Sequence, residues 1–181
     1  MEKLKVLIHW FYCLDIPDIL FFLLIATTAF VLLNEHYRDT IRWRWLIGLL
    51  LICWLSAACY ATLGTRNSTQ IVQINLVPFH SYREVWSGGN PEIYRSNFMN
   101  VVLFYPAGLL ATSLLPEARH GWRGCLLVVL ALTAMSAGIE FIQDCCSLGK
   151  CEIDDVIHNA LGALTGAVAA EIWVAVKRKK I

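Results

Sequence analysis

Long apolar runs separated by short polar clusters set the pattern of the chain. Between Arg44 and Arg66 lie 21 residues without a formal charge, and between Arg95 and Glu117 another 21. Each run matches the roughly 20 residues a helix needs to cross a bilayer. The pattern predicts an all-α membrane helix bundle with five spanning helices, near Asp18–Leu33, Trp45–Leu63, Asn97–Leu115, Arg123–Gln143 and Asp155–Val176. The apolar stretch Leu4–Leu14 is too short to span and carries His9 and Trp10, so it reads as an interfacial helix. Asp15 or Asp18 is placed to cap the first span, with Pro17 in its first turn. No small-residue cleavage site follows the basic N-terminus, so a cleaved signal peptide is not expected. The longest connection, Thr65–Ser96, contains Pro78, Gly88, Gly89 and Pro91 and is not helical throughout. No strand pattern stands out. The expected division is an interfacial segment 1–17, a membrane domain 18–176 and a basic tail 177–181.

Composition sharpens this picture. The chain is 57% hydrophobic and only 16% charged, where a soluble domain carries about a quarter charged residues. With the two uncharged runs, this argues against a soluble globular enzyme, and collagen, coiled-coil and disordered readings fail on composition too. The closing run Lys177-Arg178-Lys179-Lys180 follows an apolar helix and therefore reads as facing anionic lipid on the cytoplasmic side, not nucleic acid. With the C-terminus inside, Arg38, Arg42, Arg44, Arg119, Arg123 and the tail fall on the inner side. Lys3, Lys5, Arg66, Arg83, Arg95 and Lys150 fall outside. That bias predicts N-out, C-in. Of seven cysteines, Cys53, Cys59 and Cys125 sit in apolar segments as packing residues. Cys145, Cys146 and Cys151 share one loop, which allows either a bridge from Cys145 or Cys146 to Cys151 or free thiols.

Ionisable groups in apolar helices are costly and mark functional sites. Glu140 and Gln143 share a face at the end of the fourth span, and Asp155 and Asn159 share one at the start of the fifth. Asn97 and Asn100 open the third span, just after Arg95. The topology brings Arg95, Asn100, Glu140, Gln143, Asp155 and Asn159 toward one pocket at the outer face. Glu140 and Asp155 would supply charge or proton transfer there; Asn100, Gln143 and Asn159 would orient them. Arg95 would hold an anionic group, and Asn75 would line the entrance. Simpler roles stand beside these: Asp154 and Asp155 as helix caps, Asn100 and Asn159 as interhelical hydrogen bonds, Glu140 in a salt bridge to Arg95. Gly162 and Gly166 form a G-x-x-x-G suited to close helix packing, and Pro106 with Gly108 suggests a kink. His80, His120 and His158 form no metal-binding spacing, and no cofactor or phosphate-binding motif is present, so neither metal nor cofactor is expected.

Four segments together resemble the VanZ-like membrane protein family. Asn75-Leu76-Val77-Pro78-Phe79 is similar to its N-L-x-P-F opening, and Asn100 to Gly108 to its N-x-x-x-F-x-P-x-G helix. Glu140-Phe141-Ile142-Gln143 is similar to its E-x-x-Q, and Asp154 to Gly162 to its D-D-x-x-x-N-x-x-G. The resemblance runs from about Gln73 to Gly166. It departs where the family carries G-R before the acidic pair: here Gly149-Lys150 stands, and a lysine offers a point charge in place of a bidentate fork. The resemblance implies a multi-pass protein of the bacterial cell membrane, related to one that raises resistance to teicoplanin, a lipid-tailed glycopeptide. Its partners would be the bilayer and a lipid-linked cell-wall precursor or the antibiotic itself. The alternatives are an enzyme with Glu140 and Asp155 as acid and base, a small transporter, and a membrane subunit of a signalling complex. No activated nucleophile is recognisable, and the absence of an internal repeat counts against a secondary carrier.

Overall fold

The computed structural model describes residues 16–37, 40–64, 73–88, 90 and 92–178. The interfacial segment expected before Ile16 and the end of the basic tail lie outside the described residues. Five long helices carry the fold: α1 (Ile16–Tyr37), α2 (Ile41–Cys59), α4 (Glu92–Ser113), α5 (Trp122–Cys145) and α6 (Ile153–Arg178). A short helix, α3 (His80–Trp86), lies in the long connection. Helix α2 runs on into a π-helical turn, Tyr60–Gly64. A 3₁₀ turn, Glu117–Arg119, precedes α5.

Four of the long helices are apolar and long enough to cross a membrane: α1, α2 with its π turn, α5, and α6 to Val176. Helix α4 has the length, 22 residues, or about 33 Å. Asn97, Asn100 and Pro106 lower its hydropathy. It is the most enclosed of the five, with Met99, Val102, Phe104, Ala107, Leu109 and Leu110 all buried. A helix surrounded by other helices meets protein instead of lipid, so it can carry polar residues that an outer helix cannot. Helix α1 is the opposite case. Leu20, Phe21, Phe22, Leu24 and Ile25 are all exposed, apolar side chains on a helix long and apolar enough to cross a membrane.

The chain divides into two compact units at Leu46 and Ile47. In the first, the buried Asn34 accepts the Trp43 indole N–H at 2.7 Å, and Phe30 and Tyr37 pack on the same indole. Thr40 opens α2, its hydroxyl accepting the Trp43 N–H at 3.4 Å.

In the second unit the core is Phe104, Ala107, Val128, Leu132, Ile139 and Ala163, flanked by Trp54, Leu55 and Met135. Helices α4 and α6 run parallel and approach closely through small residues. A Cβ on Gly162 would sit 2.2 Å from the Val101 carbonyl oxygen. One on Gly166 would sit 2.0 Å from that of Tyr105, and one on Gly108 2.1 Å from that of Ala163. The G-x-x-x-G of α6 and the P-x-G of α4 are thus two halves of one interface, in which backbones touch because no side chain intervenes. Pro106 lies inside a continuous α4. Its missing N–H frees the carbonyl of Val102, and the Trp54 indole donates to the next carbonyl, Leu103, at 2.7 Å.

A two-stranded parallel sheet, absent from the sequence expectation, joins β1 (Gln73–Asn75) to β2 (Lys150–Glu152). The register pairs Gln73 with Lys150, Ile74 with Cys151 and Asn75 with Glu152. Three residues are too few to show a period of two, and a parallel pair draws its partner from far along the chain. The sheet ties the connection before α3 to the loop between α5 and α6.

Candidate functional site

The N-terminal ends of α4 and α6 meet the C-terminal end of α5 at one end of the second unit, and most of the polar positions singled out in the sequence gather there. Asn100 donates from its amide to Asp155 Oδ1 at 2.7 Å. Asn159, one turn on from Asp155, donates to the Ser136 hydroxyl at 2.8 Å. Ser136, Glu140 and Gln143 lie at i, i+4 and i+7 on α5 and are all buried, the spacing of a single helix face. Glu140 Oε2 accepts the backbone N–H of Glu152 at 3.1 Å. Gln143 donates to the Thr62 carbonyl in the π turn at 3.1 Å. Asn75 is half-buried; its side chain accepts the Val77 N–H, and its backbone pairs in register with Glu152. The sheet therefore brings Asn75 to the strand that touches Glu140. Arg95 is half-buried on the first turns of α4, at the same end.

Two acceptors in this cluster have no donor among the described residues: Gln143 Oε1 and Asn159 Oδ1, both buried. An unpaired buried polar atom costs about 1–3 kcal/mol. Each is an amide oxygen whose own NH₂ is already committed, so the orientation of the amide is set by its other half. What these two oxygens can take is a hydrogen-bond donor: a hydroxyl, an ammonium or water.

Residues outside the expected set prove central to this end of the molecule. Asp154 does not spend its carboxylate on α6. It accepts the Phe79 N–H at 2.5 Å, the Ser81 N–H at 2.8 Å and the Ser81 hydroxyl at 2.5 Å. Capping is the chemistry expected of Asp154, but the helix it serves is α3, and the partner is 73 residues away. Asn97 completes the clamp by donating to Ser81 Oγ at 3.0 Å. The segment held in this way is the N-L-x-P-F stretch. Asn75 closes a short turn on Val77, and the His80 N–H returns to the Val77 carbonyl at 3.3 Å. Pro78 and Phe79 are the central residues, and Phe79 is left-handed with φ 59°. A type II turn has this arrangement and ordinarily places glycine there. Phenylalanine is strained in that conformation by about 1–2 kcal/mol, which the hydrogen bond to Asp154 offsets.

His158 belongs with them. Its Nδ1 lies 2.5 Å from the Asp154 carbonyl, which can only accept, so Nδ1 carries the proton. In the neutral ring Nε2 is then the acceptor, and the Tyr82 hydroxyl, 2.7 Å away, donates to it. Tyr82 also packs against Phe79 and Tyr94. Nothing in the linear spacing pairs Tyr82 with His158, because the contact crosses 76 residues and depends on α3 docking.

Between α5 and β2, Ser147 and Gly149 both have positive φ, 54° and 140°. The glycine of the departed G-R pair is thus needed by the turn itself, while Lys150 is exposed on the sheet edge. Cys145, Cys146 and Cys151 are free thiols. The Cys151 thiol is pushed up, first by partial burial and then by the carboxylates of Glu140, Asp144, Asp155 and Glu152. No group of three or more His, Cys, Asp or Glu with metal-binding geometry occurs among the described residues.

Comparison with known proteins adds one match. The family model described as VanZ/LLP1 matches residues 42–174, beyond the motif-bearing segment on both sides. No curated protein and no solved structure matches the chain.

Proposed function

The chain belongs to the VanZ-like family, and from that premise we propose that its polar end binds or modulates an amphipathic envelope component, a lipid-linked cell-wall precursor or a lipoglycopeptide of the teicoplanin type. The reading rests on one observation: a buried carboxylate, Glu140, with two buried amide oxygens that lack a donor among the described residues, among helices long and apolar enough to cross a membrane. A sugar hydroxyl or an amine supplies the missing donors. An exposed apolar lip of Leu76, Val77, Phe79 and Trp86 adjoins this end and suits the acyl tail of the same ligand. The basic residues favour placing this end on the outer face of the bacterial cell membrane, with the C-terminus inside; cell-wall precursors and the antibiotic meet there.

The test is teicoplanin susceptibility in a sensitive Gram-positive host, comparing wild type with Glu140→Gln and Asp155→Asn at matched membrane expression. The expected result is that wild type protects and both variants lose most of the protection. Equal protection by the variants would make these residues structural. No protection by wild type would turn the reading toward native envelope lipids.

A second reading, a membrane-embedded enzyme, draws on a different observation: the Tyr82 hydroxyl is polarised by an imidazole of fixed tautomer. Here Glu140 and Asp155 would be acid and base, with Tyr82 at the reacting group. Binding of a lipid-linked precursor without turnover by the purified protein, unchanged in Tyr82→Phe, would remove it.

A further inference from the structure

A groove of about 410 Å³ opens between α5 and α6 at the end of the bundle opposite the polar cluster. Its walls are Cys125, Leu126 and Val129 from α5 and Leu164, Val168 and Ile172 from α6, with Trp122 at its end. Its one ionisable carboxyl is Glu171. The groove follows α6 for seven residue steps from Glu171 toward Leu164, in a helix long and apolar enough to cross a membrane, about 10 Å. Glu171 itself lies about 10 Å below the end of α6 at Arg178, a depth at which headgroups give way to acyl chains.

Glu171 is held from behind. His120 Nδ1 lies 3.0 Å from Glu171 Oε1, and the His120 side chain is 1% exposed. Its Nε2 is buried with no partner among the described residues. This backing fixes one carboxylate oxygen. The other accepts no hydrogen bond among the described residues, and Glu171 lines the groove. A carboxylate so placed wants a cationic donor. Next to Trp122, Arg123 lays its guanidinium over the indole ring, 5.3 Å from the centroid, and its side chain is exposed. An exposed guanidinium thus stands on the indole that closes one end of the apolar slot, and Glu171 lines the same slot.

We propose that the α5–α6 groove is a binding site for a phospholipid with a phosphoethanolamine headgroup. One acyl chain would lie along the slot, the ammonium on Glu171 and the phosphate at Arg123. A headgroup with a phosphate alone meets an acid without a counter-charge. A quaternary ammonium has no N–H to give Glu171. Phosphatidylethanolamine satisfies both ends. The inference is independent of the reading at the polar end and of the orientation in the membrane.

Native mass spectrometry of the detergent-purified full chain tests it, with phosphatidylethanolamine, phosphatidylcholine and phosphatidylglycerol of matched chains titrated separately. Wild type should retain phosphatidylethanolamine about tenfold more strongly than the other two, the scale of one charge-assisted hydrogen bond. Glu171→Gln should erase the preference while keeping the His120 hydrogen bond. Val168→Trp, which fills the slot, should remove bound lipid altogether. Arg123→Ala should weaken phosphatidylethanolamine retention and serves as the deciding variant if Glu171→Gln does not fold. Equal retention of the three lipids by wild type, unchanged preference in Glu171→Gln, or unchanged retention of all three lipids in Arg123→Ala would overturn the proposal.

Discussion

Single side chains at the polar end are held by partners that only the folded chain supplies, and this shapes their chemistry. Cys151 is the clearest case. It sits among four carboxylates and is partly buried, so its thiolate is disfavoured. Thiol alkylation runs through the thiolate. Because the folded-state value is raised, modification of Cys151 should be slow at neutral pH and still climb about tenfold per pH unit above about pH 8.5, where an ordinary cysteine levels off. Glu140→Gln removes one of the named charges and should shift the rise to lower pH. Mass-spectrometric mapping of maleimide adducts across pH reads both effects. A profile for Cys151 that levels off at the ordinary value would contradict them.

At the scale of elements, one carboxylate makes the most hydrogen bonds holding the small helix α3, beside those from Asn97 and His158. Asp154 accepts three hydrogen bonds from Phe79 and Ser81, and hydrogen bonds to a charged group contribute about 1.5–3 kcal/mol each. Asp154→Ala should therefore release residues 76–86, with amide exchange there rising about tenfold or more while α4 and α5 keep their protection. Asp155→Asn should leave that segment protected, because Asp155 pairs with Asn100 on α4 instead. Hydrogen exchange on the two variants separates the neighbouring acids. Their adjacency in sequence conceals this division, since consecutive residues on a helix point about 100° apart.

For the whole molecule, the parallel contact of α4 with α6 is the axis around which the second unit is built. Gly162 and Gly166 have no room for a methyl group: an added Cβ would meet backbone atoms at 2.2 and 2.0 Å. Backbone cannot rotate away as a side chain can. Gly162→Ala should cost about 1–3 kcal/mol and lower the midpoint of thermal unfolding in detergent. Gly138 on α5, whose added Cβ would meet nothing within 4 Å, is the matched control and should tolerate alanine. Equal tolerance at both positions would mean that the two helices do not touch as described.

Apolar run length by itself determined where the long helices lie, because crossing lipid demands unbroken stretches of intrahelical hydrogen bonds. The expected spans lie within α1, α2 with its π turn, α5 and α6, and α4 ends two residues before its expected limit. The i, i+4 spacing of Asp155 with Asn159 and the i, i+3 spacing of Glu140 with Gln143 also placed those pairs on common faces, since helix geometry is local. Contacts across long sequence separations were decided only in three dimensions. The β1–β2 pair, Asp154 on α3, and Tyr82 on His158 each join segments more than 70 residues apart. No local pattern encodes such pairings. They arise because backbone and polar groups at the end of a lipid-embedded bundle must find partners, and the packing of α4, α5 and α6 settles which partners are within reach.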